Sequence, residues 1–174
     1  MRPITTLQIT FALCVLAGCA NSDSTTAPTT TAHSLDLQRA ASWGPESPPF
    51  NNEIILRGDG FGLVKFRQPN DGDRIVYLDT RLMRLSPNTA YLLQRAVDAN
   101  VNDDCTGSAW LTLGKGTTPQ SITTDARGTG EEELYRNLGA TAVGTKFDIH
   151  FRVIDATTSA VVLTSECYQF TVTQ

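Results

Sequence analysis

Residues 146–155 read KFDIHFRVID. Phe147, Ile149, Phe151 and Val153 alternate with Asp148, His150 and Arg152. Successive side chains of a strand point to opposite faces, so this stretch predicts a strand with one buried and one polar face. The same reading extends outward along the chain. Ile54-Ile55-Leu56 and Phe61–Phe66 are extended, with Gly58-Asp59-Gly60 between them as a bulge or tight turn. Asn70-Asp71-Gly72-Asp73 is a turn that leads into RIVYLDTRLMRL, where Val76, Leu78, Thr80 and Leu82 share a face. LSPNT then leads into AYLLQRAV, and AWLTLG, EEELYRNL and AVVLTSECYQFTVT follow as further strands. About seven or eight short strands, with no long helical period and no internal repeat, predict an all-β antiparallel sandwich or barrel over residues 50–174.

The segment before this body has a different character. Residues 1–18, MRPITTLQITFALCVLAG, carry Arg2 and then an uncharged, mostly apolar run, the layout of a secretory signal and short for a membrane span. The run ends in Leu16-Ala17-Gly18-Cys19, which resembles the lipobox of bacterial lipoproteins. That resemblance implies cleavage before Cys19 and lipidation of Cys19, and more than one acyl chain gives stable anchoring. Ala20 in place of an Asp resembles lipoproteins sent on to an outer membrane. The expected location is therefore the bacterial cell envelope, facing periplasm or surface, with the membrane as a partner through the N-terminal lipid.

Residues 19–49 continue as ANSDSTTAPTTTA and then SLDLQRAASW, closed off by Pro45, Pro48 and Pro49. A Thr/Ser/Pro-rich stretch without large apolar residues cannot bury a core, so it reads as a flexible tether. Removal of residues 1–18 takes away Arg2 alone, leaving 13 basic against 18 acidic residues. This mildly acidic balance, with no Lys/Arg cluster, argues against nucleic acid as a partner.

Asp98–Trp110, DANVNDDCTGSAW, places Asp/Asn oxygens at alternating positions, as a calcium loop does. Asp98, Asn100 and Asn102 fill the first, third and fifth places of an EF-hand pattern. The sixth is Asp103 instead of Gly and the twelfth is Ala109 instead of Glu, so the sharp turn and the bidentate ligand are missing. The stretch reads instead as a polar connection between strands. Cys105 and Cys167 are the body's two cysteines, an even pair expected to join in an exported protein. Such a bond is worth about 4 kcal/mol on the chain-entropy account. Thiol metal binding and a catalytic thiol are the alternatives, and neither Cys has a His or second Cys at motif spacing.

Several of these residues, in order, resemble the copper/zinc superoxide dismutases. LRGDGFGLVKF (56–66) resembles that family's first strands and the turn between them. TAYLLQRAVD (89–98) stands where the family has a strand with two copper-ligand histidines. DANVNDDCTGSAW resembles its disulfide loop, with Cys167 matching the partner of Cys105. TTDARGTGEEEL (123–134) resembles a later Asp/Gly turn, and DIHFRVID the strand that supplies another copper ligand. The likeness spans nearly all of 53–172 and implies a Greek-key domain.

It does not imply the family's chemistry. The two copper-ligand positions fall on Leu92 and Gln94, the loop after Cys105 has no His, and the guiding Arg falls on Thr164. His150 alone matches a ligand position, and one imidazole does not hold a redox copper. The expectation is no cofactor, no dismutase activity and no catalytic residue. His150 is a weak metal candidate and more simply a surface or hydrogen-bonded histidine. With His33 the only other histidine, a Ser/His/Asp or Cys/His centre lacks its parts.

Leu85–Tyr91, LSPNTAY, resembles the tyrosine corner of fibronectin type III and immunoglobulin-like sandwiches, the alternative fold. Arg57-Gly58-Asp59 spells an adhesion tripeptide, but a turn requirement at this point accounts for it. Gly58–Gly62 lacks the following helix of a phosphate cradle. Two function classes follow: a non-catalytic binding or envelope-structural domain with a protein or small-ligand partner, or a copper- or zinc-handling protein.

Overall fold

The computed structural model describes residues 50–173. The signal-like segment 1–18 and the tether 19–49, with Cys19 and His33, lie outside the described residues. Alternating sequence becomes twelve strands: β1 (Phe50–Gly58), β2 (Phe61–Gln68), β3 (Ile75–Met83), β4 (Ala90–Asp98), β5 (Leu111–Thr112), β6 (Gly114–Lys115), β7 (Thr118–Pro119), β8 (Ser121–Thr123), β9 (Gly130–Asn137), β10 (Lys146–Asp155), β11 (Val161–Ser165) and β12 (Tyr168–Thr171). The pieces of two or three residues, β5 to β8, all lie between β4 and β9. Six of the strands that the periodicity predicts are β1, β2, β3, β4, β9 and β10.

β1, β2 and β3 form a meander, and β9 returns to pair with β3, making one layer. β4 and β10 pair along their length and, with β11 and β12 on the far side of β10, make the other. β11 also pairs with β1, Leu56 opposite Ser165, which joins the layers along one side. On the opposite side, residues 111–115 cross from β4 to β9: β5 pairs with β4, and β6 runs parallel to β9 with Lys115 opposite Tyr135. The result is a nearly closed all-β Greek-key barrel, which leaves little free sheet edge.

Two strands of the sequence reading are broken, each for a local reason. AWLTLG is split at Leu113, whose N–H bonds Leu93 O at 2.9 Å while its side chain drops into the core as the chain changes layers. AVVLTSECYQFTVT is interrupted at Glu166-Cys167. There the Ser165 hydroxyl accepts the Phe151 N–H at 2.9 Å and donates to Glu166 O, taking a main-chain acceptor's place in the ladder. Gly58-Asp59-Gly60 is a hairpin turn between β1 and β2, with Arg57 opposite Phe61. A Cβ at Gly58 would overlap the Val162 carbonyl oxygen, so only glycine fits where this hairpin meets β11.

Inward residues from both layers fill the core: Ile54 and Leu56, Val64 and Phe66, Val76 and Leu78, Tyr91 and Leu93, Phe151 and Val153. Phe66 meets Phe151 edge-on at 5.9 Å and Phe170 at 4.8 Å, an arrangement that favours the ring quadrupoles. Burial of Phe151 alone is worth about 1.5–3 kcal/mol. Tyr91 is buried, and its hydroxyl accepts the Ser86 N–H at 3.2 Å, so the tyrosine-corner contact is present. The strand order differs from the immunoglobulin arrangement, whose second and third strands lie in opposite sheets, because here β2 and β3 pair directly.

Candidate functional site

β4 and β10 turn Tyr91, Leu93 and Val97, and Ile149, Phe151 and Val153, toward the core. The intervening Leu92, Gln94 and Ala96, with Asp148, His150 and Arg152, therefore face outward. The ladder puts Asp148 opposite Asp98, His150 opposite Ala96 and Arg152 opposite Gln94. Residues 99–110 fold back over this outer face, so that Ala96 and Asp148 are fully buried and Gln94 nearly so.

Three attachments hold that covering loop. Cys105 is disulfide-bonded to Cys167 at the break between β11 and β12, with Cα atoms 5.4 Å apart. The Asp148 carboxylate accepts two consecutive main-chain N–H groups through Oδ2, from Asn102 at 2.7 Å and Asp103 at 2.8 Å. Its Oδ1 is buried and has no hydrogen-bond partner. The third attachment is His150, whose Nε2 lies 2.9 Å from Gly107 O. A carbonyl oxygen only accepts, so Nε2 carries the proton and its lone pair is unavailable to a metal.

The oxygens that suggest a calcium loop are used locally. Asp98 accepts the Thr106 hydroxyl at 2.7 Å and the Asn100 N–H at 3.2 Å, and Asn102 accepts the Asp104 N–H at 3.1 Å. The Thr106 hydroxyl, and next the Asn100 N–H, hold the Asp98 carboxyl below the usual carboxylate range. Asp and Asn recur here because their side chains close turns on their own backbone. Among the described residues no three His, Cys, Asp or Glu side chains converge as a metal site.

Beside the loop, side chains from three strands and the loop's last residue interlock. The Arg152 guanidinium lies 4.1 Å from the Trp110 ring centroid, and the other partner of that indole is the His150 ring at 4.6 Å. Arg152 Nε donates to Gln94 Oε1 at 2.7 Å, and Gln94 Nε2 donates to Thr112 Oγ1 at 2.9 Å. Gln94 and His150, two positions to which the resemblance assigns copper ligands, are thus engaged by protein groups. Leu92 offers no donor atom, and Thr164 is exposed on β11 opposite Arg57 and Arg152. These residues do not fit a copper ion: one imidazole, with its Nε2 proton committed, is the only nitrogen donor of the ligand type. A cation–π and amide network of this kind rigidifies a surface.

Sequence reading gave no role to Trp110 or Arg152 and named Gln94 only as a copper-ligand position that lacks its histidine. It also passed over Arg95, although a signal was there. In AYLLQRAV the apolar alternation Tyr91, Leu93, Val97 makes the intervening Arg95 an inward position. A cavity of about 260 Å³ opens at that end of the barrel. Phe66, Phe147, Phe151, Phe170, Ile149 and Leu138 are among its walls, with Arg95 and Arg136 also lining it. Burial, and next the nearby Arg136 charge, lower the pKa of the Arg95 guanidinium. Arg136 Nη1 donates to Gly116 O at 3.3 Å.

The outer face of β2, β3 and β9 carries a second, broader groove of about 600 Å³. Opposite charges pair within it, with Arg67 2.8 Å from Asp79 and Arg81 3.1 Å from Glu131. Exposed pairs of this kind make a solvated face. No protein-family model matches the chain, and no curated protein sequence matches it closely enough to count as a relative.

Proposed function

We propose that this chain is an exported bacterial lipoprotein, held at the envelope by acyl chains on Cys19, whose barrel is a superoxide dismutase-like module that binds or builds rather than catalyses. The observation that carries this reading is the engagement of Gln94, Arg152, Trp110 and His150 with one another on the face where the resemblance would require open metal ligands. A redox copper needs several nitrogen donors in fixed geometry, and the side chains at those positions are Leu92, Gln94 and one hydrogen-bonded His150. The Cys105–Cys167 bond suits an oxidising compartment and supports export. The Leu-Ala-Gly-Cys sequence and the polar tether behind it support attachment to a membrane, the outer membrane being favoured by Ala20.

Two measurements on the full chain test this. Metal analysis of protein purified with its disulfide intact is expected to find no stoichiometric copper or zinc, and superoxide turnover no faster than buffer. One tightly held equivalent, lost in His150→Ala, would replace this reading with the metal-handling one. Expression in a bacterium is expected to put the wild type in the membrane fraction and Cys19→Ala in the soluble fraction; equal partitioning refutes the anchor.

A further inference from the structure

We infer that the cavity at the Arg95 end of the barrel is a binding site for a small apolar monocarboxylate, its hydrocarbon body among the phenylalanines and its carboxylate on Arg95 and Arg136. This rests on reading the domain as a binding module and names the ligand class of a site distinct from the loop-covered face.

The cavity's size, walls and charge agree. About 260 Å³ is just below the usual range for small-molecule sites, about 300–1,000 Å³, which limits the occupant to a short chain or a single ring. Phe66, Phe151 and Phe170 are nearly fully buried and Phe147 is half-buried, so one part of the wall is apolar, while Asn137, Thr141 and the two arginines make the polar part. Arg95 is turned inward between Leu93 and Val97, and the ladder puts it opposite Phe151. The ion pairs among the described residues are Arg67–Asp79, Arg81–Glu131 and Lys115–Glu132. Neither Arg95 nor Arg136 has a carboxylate among them, and Arg136 reaches only a carbonyl.

Two guanidinium groups of like charge lining one partly desolvated cavity repel each other, and Arg95 has also lost hydration. A protein under no other demand would put an apolar residue or a counter-charge at position 95. An anion between them offsets both costs, and a guanidinium fork matches a carboxylate with two parallel hydrogen bonds. The alternative is that Arg95 only lays its aliphatic stem along the wall and extends its head to water. In that case the cavity would not distinguish an acid from its amide.

The test uses the full, disulfide-bonded chain titrated with hexanoate and phenylacetate, and with hexanamide and phenylacetamide as uncharged counterparts. Binding is followed by calorimetry and by shifts of backbone amide resonances in β4, β9 and β10. Each acid is expected to saturate and to bind at least about tenfold more tightly than its amide, as one charge-assisted contact would give. Arg95→Gln and Arg136→Gln are each expected to weaken the acids about tenfold and leave the amides unchanged. Acids and amides binding alike, no saturable binding, or Gln variants that bind acids as the wild type does would each overturn the site. If Arg95→Gln does not fold, the half-exposed Arg136→Gln carries the comparison. Metal content read on the same samples separates the two readings: stoichiometric copper removes the non-catalytic proposal, and an acid-blind cavity removes this inference alone.

Discussion

Arg152 lays its guanidinium 4.1 Å above the centroid of the Trp110 ring, joining the end of the disulfide loop to the middle of β10. The same side chain donates to Gln94. Truncation therefore removes a cation–π contact and a hydrogen bond together. Arg152→Ala is expected to cost about 1–3 kcal/mol of stability in urea unfolding. Arg152→Lys should recover part of it, because a lysine keeps the charge but lacks the planar fork. A variant as stable as wild type would show that the stack contributes nothing.

The Cys105–Cys167 bond spans a sequence separation of 62 residues. Cys105→Ala/Cys167→Ala is expected to lower unfolding free energy by about 4 kcal/mol, less any relief of native-state strain. Wild-type protein melted with and without reductant should show the same direction. Loss of the bond should also raise amide exchange in residues 99–110, which keep their contacts with Asp98, Asp148, His150 and Arg152.

Asp148 holds two loop N–H groups from a fully buried position. Asp148→Ala strands both donors and is expected to cost about 2–4 kcal/mol. Asp148→Asn retains one accepting oxygen and should cost less. Hydrogen exchange at Asn102 and Asp103 is the direct measurement: protection should fall sharply in the alanine variant and stay partial in the asparagine one. Unchanged protection in both would remove Asp148 from the account of the loop.

Acid should weaken the fold through three turn aspartates whose carboxyls lie below their ordinary range. Asp98 is lowered chiefly by the Thr106 hydroxyl, Asp125 by the Thr129 and Arg127 N–H groups, and Asp155 by the Thr158 and Thr157 N–H groups. A pKa depressed on folding means the unfolded chain takes up protons first. The contribution of these groups is complete above the unfolded aspartate value of ~3.9 and is lost as pH falls through their lower folded values. Urea midpoints measured downward from pH ~4 should drop, and the drop should be shallower in Asp125→Asn and Asp155→Asn. A midpoint that rises in acid would contradict the assignment.

Alternation along KFDIHFRVID, RIVYLDTRLMRL and AYLLQRAV was sufficient for an all-β domain, because side-chain direction in a strand depends only on position within it. The two body cysteines were sufficient for the staple. Local sequence could not show that AWLTLG divides at Leu113 or that the last strand breaks at Cys167, because both breaks are made by partners far along the chain.

The same limit separates the two surfaces. Gln94 and Arg152 are 58 residues apart and meet only because β4 and β10 pair in one register. Slippage by one residue would send each to the opposite face. Arg95 and Arg136 likewise come to one cavity from different layers. The sequence alone determined which side chains share a face of each strand, since that is a property of neighbours. Which of them touch was decided by tertiary structure, because it depends on register, barrel closure and the loop drawn across the sheet by Cys105, Asp148 and His150.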